Sequence, residues 1–386
     1  MRPGTRNVTY TRLYRTRDLK RHAPDIYLLL FLGTLLFFGL IMLWSATSVM
    51  SFAQSQTSSF YLRQQLVHGI IPGLVLFFIM YKLDYSLLRK LTPLLFFATL
   101  LLLSLVFIPS LGLMRNGVRS WIVIGELILQ PSELAKFTFL LWLSGWLVKR
   151  ESFMTSLCRT SIPFFAMLGI ICLLLMLQPD LGTMLTYASL GLTLFLLAGG
   201  NLVHAALACV LGITALLPKI LTTDYRLSRL LTFWNPNQDL KGAGYQIHQA
   251  LIALGTGSWL GVGIGQSRQK FQFLPEIESD SIFAIIGEEF GFVVASVIIA
   301  LFIGLFIRGV IIARNARDYD GYLLACGVSF LIAVQALINI GAMVGLVPLT
   351  GIPLPFISLG GSNIAMLLAS TGLLANISTL TTTHYG

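Results

Sequence analysis

Three acidic side chains crowd the stretch Phe273-Leu274-Pro275-Glu276-Ile277-Glu278-Ser279-Asp280-Ser281, directly ahead of a long apolar run. A carboxylate at such a border has two uses. As an N-cap, Asp280 accepts backbone N–H bonds and complements the positive end of the helix dipole. Held rigidly in that place, it also suits a general base that takes a proton from a hydroxyl. The two roles are compatible. Arg226, Arg229, Lys241, Arg268 and Lys270 come from the same stretch of chain. Cations gathered near one acid fit a substrate that carries phosphates.

A second group lies earlier. In Gln130-Pro131-Ser132-Glu133-Leu134-Ala135-Lys136 a carboxylate and an ammonium stand three residues apart, on one face of a helix whose first position suits Pro131. Ionisable groups in lipid need a partner or a wet cavity, so this pair either locks two helices together or lines a functional cavity. Ahead of it, Asn116-Gly117 signals a turn, and Arg119 and Trp121 suit the membrane interface, one by snorkelling and one by aromatic anchoring. Asp180, in Gln178-Pro179-Asp180, fits a helix cap better than chemistry. Glu288 and Glu289, two turns beyond Asp280, need partners such as Lys136 or a hydrated pocket. Pro348, Gly351, Pro353, Pro355, Gly360 and Gly361 interrupt the last apolar runs, which membranes tolerate where protein buries the irregular backbone.

The elements that must position these residues are set by lipid. The chain has 386 residues, 56% hydrophobic and 11% charged, against about a quarter charged in a soluble domain. Crossing the hydrocarbon takes roughly 20 apolar residues. That rule places spans near 26–50, 65–82, 91–110, 131–148, 162–178, 182–200, 202–221, 280–307, 322–345 and 360–380. The fold class is therefore an all-α polytopic membrane protein with about ten transmembrane helices. Residues 1–25 read as a basic cytoplasmic segment, 26–380 as one membrane domain, and 381–386 as a short cytoplasmic tail. Arg2, Arg6, Arg12, Arg15, Arg17, Lys20 and Arg21 fall on the same side as Lys82, Arg89, Lys90, Lys149, Arg150, Arg159, Arg308, Arg314 and Arg317. The positive-inside rule makes that side cytoplasmic, which explains the net charge of +10 as a topology anchor rather than a nucleic-acid surface. The connections 111–130 and 222–279 are too long and polar for simple turns, and amphipathic segments are expected to lie along the outer interface there. The four cysteines are scattered, and no metal-ligand spacing is visible.

The strings NGVRSWI, QPSELAK, QPDLGT, YRLSRLLTFWNP, GYQIHQALIALGTG, GVGIGQS, FLPEIESDSIFAIIGEEFG and GLVPLTGIPLPFISLGGSN occur in this order. Together they resemble the SEDS family (shape, elongation, division and sporulation), which includes FtsW, RodA and SpoVE, from the first span to about residue 376. The resemblance implies ten membrane helices, with a large extracytoplasmic loop between the seventh and eighth at 222–279. It implies a peptidoglycan glycosyltransferase in the bacterial plasma membrane that polymerises lipid II into glycan strands, with inversion at the anomeric carbon. A class B penicillin-binding protein transpeptidase and other divisome or elongasome proteins are the expected partners. The family's essential aspartate falls on Asp280, its loop tryptophan on Trp121, and its membrane pair on Glu133 and Lys136. Arg119, Arg226, Arg229, Lys270, Glu276 and Ser358 are carried as substrate-binding or supporting residues. After Leu-Pro-Glu the usual His-Thr-Asp-Phe is replaced by Glu278-Ser279-Asp280-Ser281. The Ile-Gly-Glu-Glu and Phe-Trp-Asn-Pro runs look closer to FtsW, at the septum, than to RodA, at the side wall. No covalent cofactor is expected, and a divalent cation, Mg or Mn, would ride on the lipid pyrophosphate. The alternatives are a lipid II flippase or transporter and a noncatalytic scaffold.

Overall fold

A computed structural model of the chain describes residues 21–108, 111–115, 118–124, 127–222, 224–234, 244–271 and 273–381. The basic segment before residue 21 and the tail after 381 lie outside the described residues, as does Lys241. The chain enters α1 (Ile26–Ser55), capped by Asp25, whose Oδ1 accepts from Leu28 N at 2.9 Å. Next, α2 (Phe60–Gln65) and α3 (Ile71–Lys82) join through a π-turn into one rod, Phe60–Lys82. After α4 (Tyr85–Lys90) come α5 (Thr92–Leu105), α6 (Pro131–Val148), α7 (Ile162–Leu177), α8 (Leu181–Leu197) and α9 (Leu202–Leu221). The long connection holds α10 (Asp224–Trp234) and α11 (Tyr245–Gly257), and the chain closes with α12 (Ile282–Arg314), α13 (Tyr319–Met343) and α14 (Gly361–Ser378). Proline sits in the first turn of α3, α5, α6 and α7, where its missing N–H costs no helical bond.

Five helices are long and apolar enough to cross a membrane: Ile26–Ser55, Phe60–Lys82, Leu157–Leu177, Ile282–Arg314 and Tyr319–Met343. Thr92–Leu105, Leu181–Leu197 and Leu202–Pro218 are shorter apolar helices. The polar-bearing α6 and α14 are almost wholly buried, and they form the middle of the bundle with α13. Around them stand α3, α5, α8 and α12, while α9 turns Leu202, Val203, Leu207, Val210 and Leu211 outward. Asn376 shows how α14 is fixed. Its amide donates to the carbonyls of Met80, Tyr81 and Leu83 at 2.6–3.0 Å, satisfying the orphan acceptors at the end of α3.

The all-α expectation fails at the first long connection. Gly112–Arg115, Val118–Ile124 and Leu127–Leu129 form a three-stranded antiparallel sheet, β1-β2-β3, with Arg115 opposite Val118 and Ile122 opposite Leu129. Val118 and the run Trp121-Ile122-Val123-Ile124 are β-branched or aromatic and favour pleated pairing, and the adjacent strands supply it.

The start of α1 and the end of α14 lie together. His22 N donates to Thr379 O at 3.0 Å, Asp25 N donates to Ser378 Oγ at 3.1 Å, and Arg308 of α12 pairs with Asp25. Asp280 stands ahead of the other end of α12. Arg308 lies 28 positions further along the chain, beyond the break in α12 at Gly291.

Candidate active site

The turn before α12 is stiffened by its own backbone. Glu276 has φ +50, and its carbonyl accepts from Ser279 N at 3.2 Å and Ser281 N at 3.1 Å. A non-glycine residue in this left-handed region is strained, and it persists where neighbours over-determine it. Here they do. Leu359 N donates to Glu278 O at 2.7 Å, and the Asn339 amide of α13 bridges the carbonyls of Asp280 and Ile352, each at 2.8 Å. Asp280 is thus clamped between α13 and the irregular segment ahead of α14.

Its carboxylate is buried at 6% exposure. Gln246 of α11 donates Nε2 to Asp280 Oδ1 at 3.2 Å and to Ser281 Oγ at 2.9 Å. Burial pushes the Asp280 pKa up from 3.8 to about 6; Glu276 adds to the rise, while the Gln246 bond and the Arg229 charge oppose it. A carboxylate in that range is ionised near neutrality and basic enough to accept a proton. The expected N-cap role is corrected. Ser281 occupies the cap, no side-chain cap bond forms there, and Asp280 lies one residue outside. The acid is therefore not consumed by helix capping.

Of the expected cations, Arg229 of α10 comes within electrostatic reach of Asp280, and its Nη1 also donates to Leu349 O at 2.9 Å. The side chains of Arg119 and Arg226 lie outside the described residues. Lys270 is engaged elsewhere. It is 5% exposed, donates to Gly265 O, and pairs with Glu289 at 3.6 Å. Its expected role as a substrate cation gives way to a structural one, because a buried carboxylate demands a counter-charge. Ser358 is also buried, its Oγ accepting from Leu354 N at 2.9 Å and its carbonyl from Gln65. Trp121 is half-buried on β2 opposite Leu113.

Glu133 and Lys136 form the pair that their spacing suggests, at 2.7 Å, with both side chains buried. Asn363 of α14 donates to Glu133 Oε2 at 2.8 Å, so the pair does join two helices. A small cavity beside it is lined also by Gln335 of α13 and Ser370 of α14. Gln335 and Asn339 are one helical turn apart, so α13 connects the ion pair to the Asp280 clamp. Asp180 caps α8, with Oδ1 accepting from Thr183 N at 2.9 Å.

Glu288 and Glu289 do not meet Lys136. Glu288 accepts from Ser267 Oγ, from Arg268 N at 3.0 Å and from Gln269 N at 3.4 Å, and Glu289 accepts from Ser45 Oγ of α1 at 2.7 Å. The reason is a break in α12 at Gly291, φ 76 and ψ −175, which frees backbone carbonyls. Val262 N and Gly263 N take those of Glu288 and Glu289, each at 3.0 Å. The 222–279 connection was expected to lie along the interface, yet α11 runs down beside the first half of α12. Gly257 permits this approach, since a Cβ there would overlap the Gly287 carbonyl. The irregular 258–263 stretch then seals the break, as irregular backbone among membrane helices requires. Sequence reasoning missed Gln246 and Asn339; the available signal at Asn339 was an amide deep in a largely apolar helix, which demands a partner, whereas Gln246 stands with His248 and Gln249 in a polar first turn.

A bundle of apolar helices that clamps one basic carboxylate at a helix mouth, with a buried ion pair behind it, defines a polytopic membrane protein with an enzyme-like polar site. A family model described as cell cycle protein, covering FtsW, RodA and SpoVE, matches residues 26–383. The chain belongs to this FtsW/RodA/SpoVE family. Stage V sporulation protein E of Bacillus subtilis (strain 168) is 39% identical over 359 residues, 93% of this chain and 98% of that protein. A probable peptidoglycan glycosyltransferase FtsW from Trichlorobacter lovleyi is 36% identical, covering 92% and 93%. Among solved structures, a chain from work on a peptidoglycan synthase complex that coordinates polymerization and crosslinking is similar, with TM-score 0.75, 28% identity and coverage of 92% and 98%. Rod shape determining protein RodA of Thermus thermophilus gives TM-score 0.68 at 26% identity, covering 94% and 99%.

Proposed function

We propose that this chain is a peptidoglycan glycosyltransferase that polymerises lipid II, with Asp280 as general base. The observation that carries the reading is the buried carboxylate clamped ahead of α12, with Gln246 on its side chain and Asn339 on its carbonyl. The relatives named as peptidoglycan glycosyltransferase FtsW support the activity. An FtsW-like septal role is preferred to a RodA-like one on the Ile-Gly-Glu-Glu and Phe-Trp-Asn-Pro runs of the sequence. In the reaction the 4-hydroxyl oxygen of one sugar attacks the anomeric carbon of another from the face opposite the phosphate. The C–O bond to the lipid pyrophosphate breaks, that group leaves with the electron pair, and Asp280 takes the hydroxyl proton. Such a base contributes about 10²–10⁴-fold. The leaving pyrophosphate needs cations, for which Arg229 is the described candidate, joined by Arg119 and Arg226, while Lys136 is held by Glu133. A divalent cation, Mg or Mn, would arrive on the pyrophosphate itself and supply further charge there.

Ten crossings with both chain ends cytoplasmic fit the contact between the start of α1 and the end of α14. The basic residues Lys149, Arg150, Arg308, Arg314 and Arg317 favour that side as cytoplasmic, leaving Asp280 extracytoplasmic. The likeness to a chain of a peptidoglycan synthase complex that coordinates polymerization and crosslinking supports a class B penicillin-binding protein transpeptidase as partner. Lipid translocation is the rival reading, suggested by the broken α12 with its buried Glu288 and Glu289. Full-length chain in liposomes with labelled lipid II separates the two: glycan strands form if the proposal holds, and lipid II that crosses the bilayer without strand formation overturns it.

A further inference from the structure

We propose that Gln246 is a positioning residue: by holding Oδ1 of Asp280 it fixes the carboxylate that takes the acceptor proton. The inference rests on Asp280 serving as the base. Gln246 is the second residue of α11, and its amide reaches both Asp280 Oδ1 at 3.2 Å and Ser281 Oγ at 2.9 Å. Two N–H groups serve two acceptors, which fixes the amide and through it the plane of the carboxylate. The Asp280 backbone N–H also bonds the carboxylate, and Ser279 Oγ lies 3.5 Å from Oδ1. A carboxylate pinned in this way keeps a constant place, and rigid placement is what a general base needs. The amide is itself placed by backbone packing, because α11 lies against α12 where Gly257 meets Gly287.

Several groups face the carboxylate. Glu276 comes from its own turn, Arg229 from α10, Ser279 from the adjacent position at 3.5 Å, and Gln246 from α11; from α13, Asn339 binds the backbone carbonyl only. Of these, Glu276 disfavours the ionised form, and Arg229 and Gln246 favour it. Removing the amide donor therefore makes Asp280 harder to ionise, and Gln246→Glu, with a second carboxylate in the same volume, makes it harder still.

The test uses full-length chain, with its transpeptidase partner where turnover requires one, and Gln246→Met and Gln246→Glu variants. Infrared titration follows the protonated carboxyl band that disappears in Asp280→Asn, a readout that needs no turnover. Its midpoint is expected to move up by about one pH unit in Gln246→Met and further in Gln246→Glu. The acid limb of the lipid II polymerisation profile should move with it, with kcat down about tenfold or more at neutral pH and KM little changed. Ser281→Ala, which removes the second anchor of the amide, should give a smaller shift of the same sign. A midpoint that stays in place in all three variants overturns the proposal, as does a rate loss equal at every pH. A midpoint that moves while Asp280→Asn polymerises at the wild-type rate would keep the Gln246 contact and sink the base assignment instead.

Discussion

Replacing Asp280 by Asn exchanges one carboxylate oxygen for an amide nitrogen at nearly constant volume, and Asn Oδ1 can still accept from Gln246. Two consequences of opposite sign follow. In the folded protein, burial and Glu276 raise the carboxyl from 3.8 to about 6, so keeping it ionised opposes folding. At about 1.4 kcal/mol per pH unit, that opposition reaches at most about 3 kcal/mol at neutral pH. A folded-state pKa above the unfolded value means native stability falls as pH rises from about 4 to about 6. The Asn variant escapes this loss. It should melt no lower than the wild type at pH 7.5, and the two should converge below about pH 4, where both side chains are neutral. Polymerisation, in contrast, should drop by about 10²–10⁴-fold, or about 3–5 kcal/mol of transition-state stabilisation. The wild-type rate should decline below about pH 6, close to tenfold per unit, and the variant's residual rate should lack that limb. Labelled lipid II turnover and thermal unfolding, measured on one preparation across pH, check both halves. A wild-type rate refutes the base assignment. Activity lost only in step with lowered melting temperature refutes the placement argument, because the loss would then reflect damage to the fold.

Two further perturbations probe the supports. Lys136→Met leaves the buried Glu133 with only Asn363, and thermal unfolding should register a loss of about 3–5 kcal/mol. Glu133→Gln combined with Lys136→Met should recover most of that; an undiminished melting temperature in the single variant would mean the pair does not hold α6 to α14. Gly257→Ala drives a methyl into the Gly287 carbonyl, which should destabilise the protein by about 1–3 kcal/mol and slow polymerisation by moving Gln246. Gly255, two residues earlier, has nothing within 4 Å of a built Cβ, so Gly255→Ala should be neutral or stabilise the helix by about 0.5–1 kcal/mol. Equal effects at both glycines would argue against close packing of α11 on α12.

Residues near one another in sequence were legible. Glu133 and Lys136 share a helix face by spacing alone, and their ion pair is present. Asp180 was readable as the cap it is. Partners far apart in the chain were not. Glu288 and Glu289 were read as needing partners such as Lys136 or a hydrated pocket, and Ser267 and Lys270 meet them, because α11 packs beside α12 and α12 breaks at Gly291. Glycine at 291 is visible in the sequence, but its positive φ becomes necessary only once the 258–263 backbone docks there. The sheet of residues 112–129 was read as an interfacial loop, since each strand is short and finds its pairing only in its neighbours.

Apolar run length determined that the chain lives in lipid, because every unsatisfied peptide group there must be met inside a helix or against protein. Local charge likewise singled out Asp280 and one helix-face ion pair. Tertiary structure alone decided that Asp280 is a clamped carboxylate one residue outside the cap, and that Gln246, Asn339 and Arg229 surround it. Those contacts join helices separated by tens of residues. Their geometry depends on which faces meet and how closely glycines let them approach, and neither quantity is written in any short stretch of sequence.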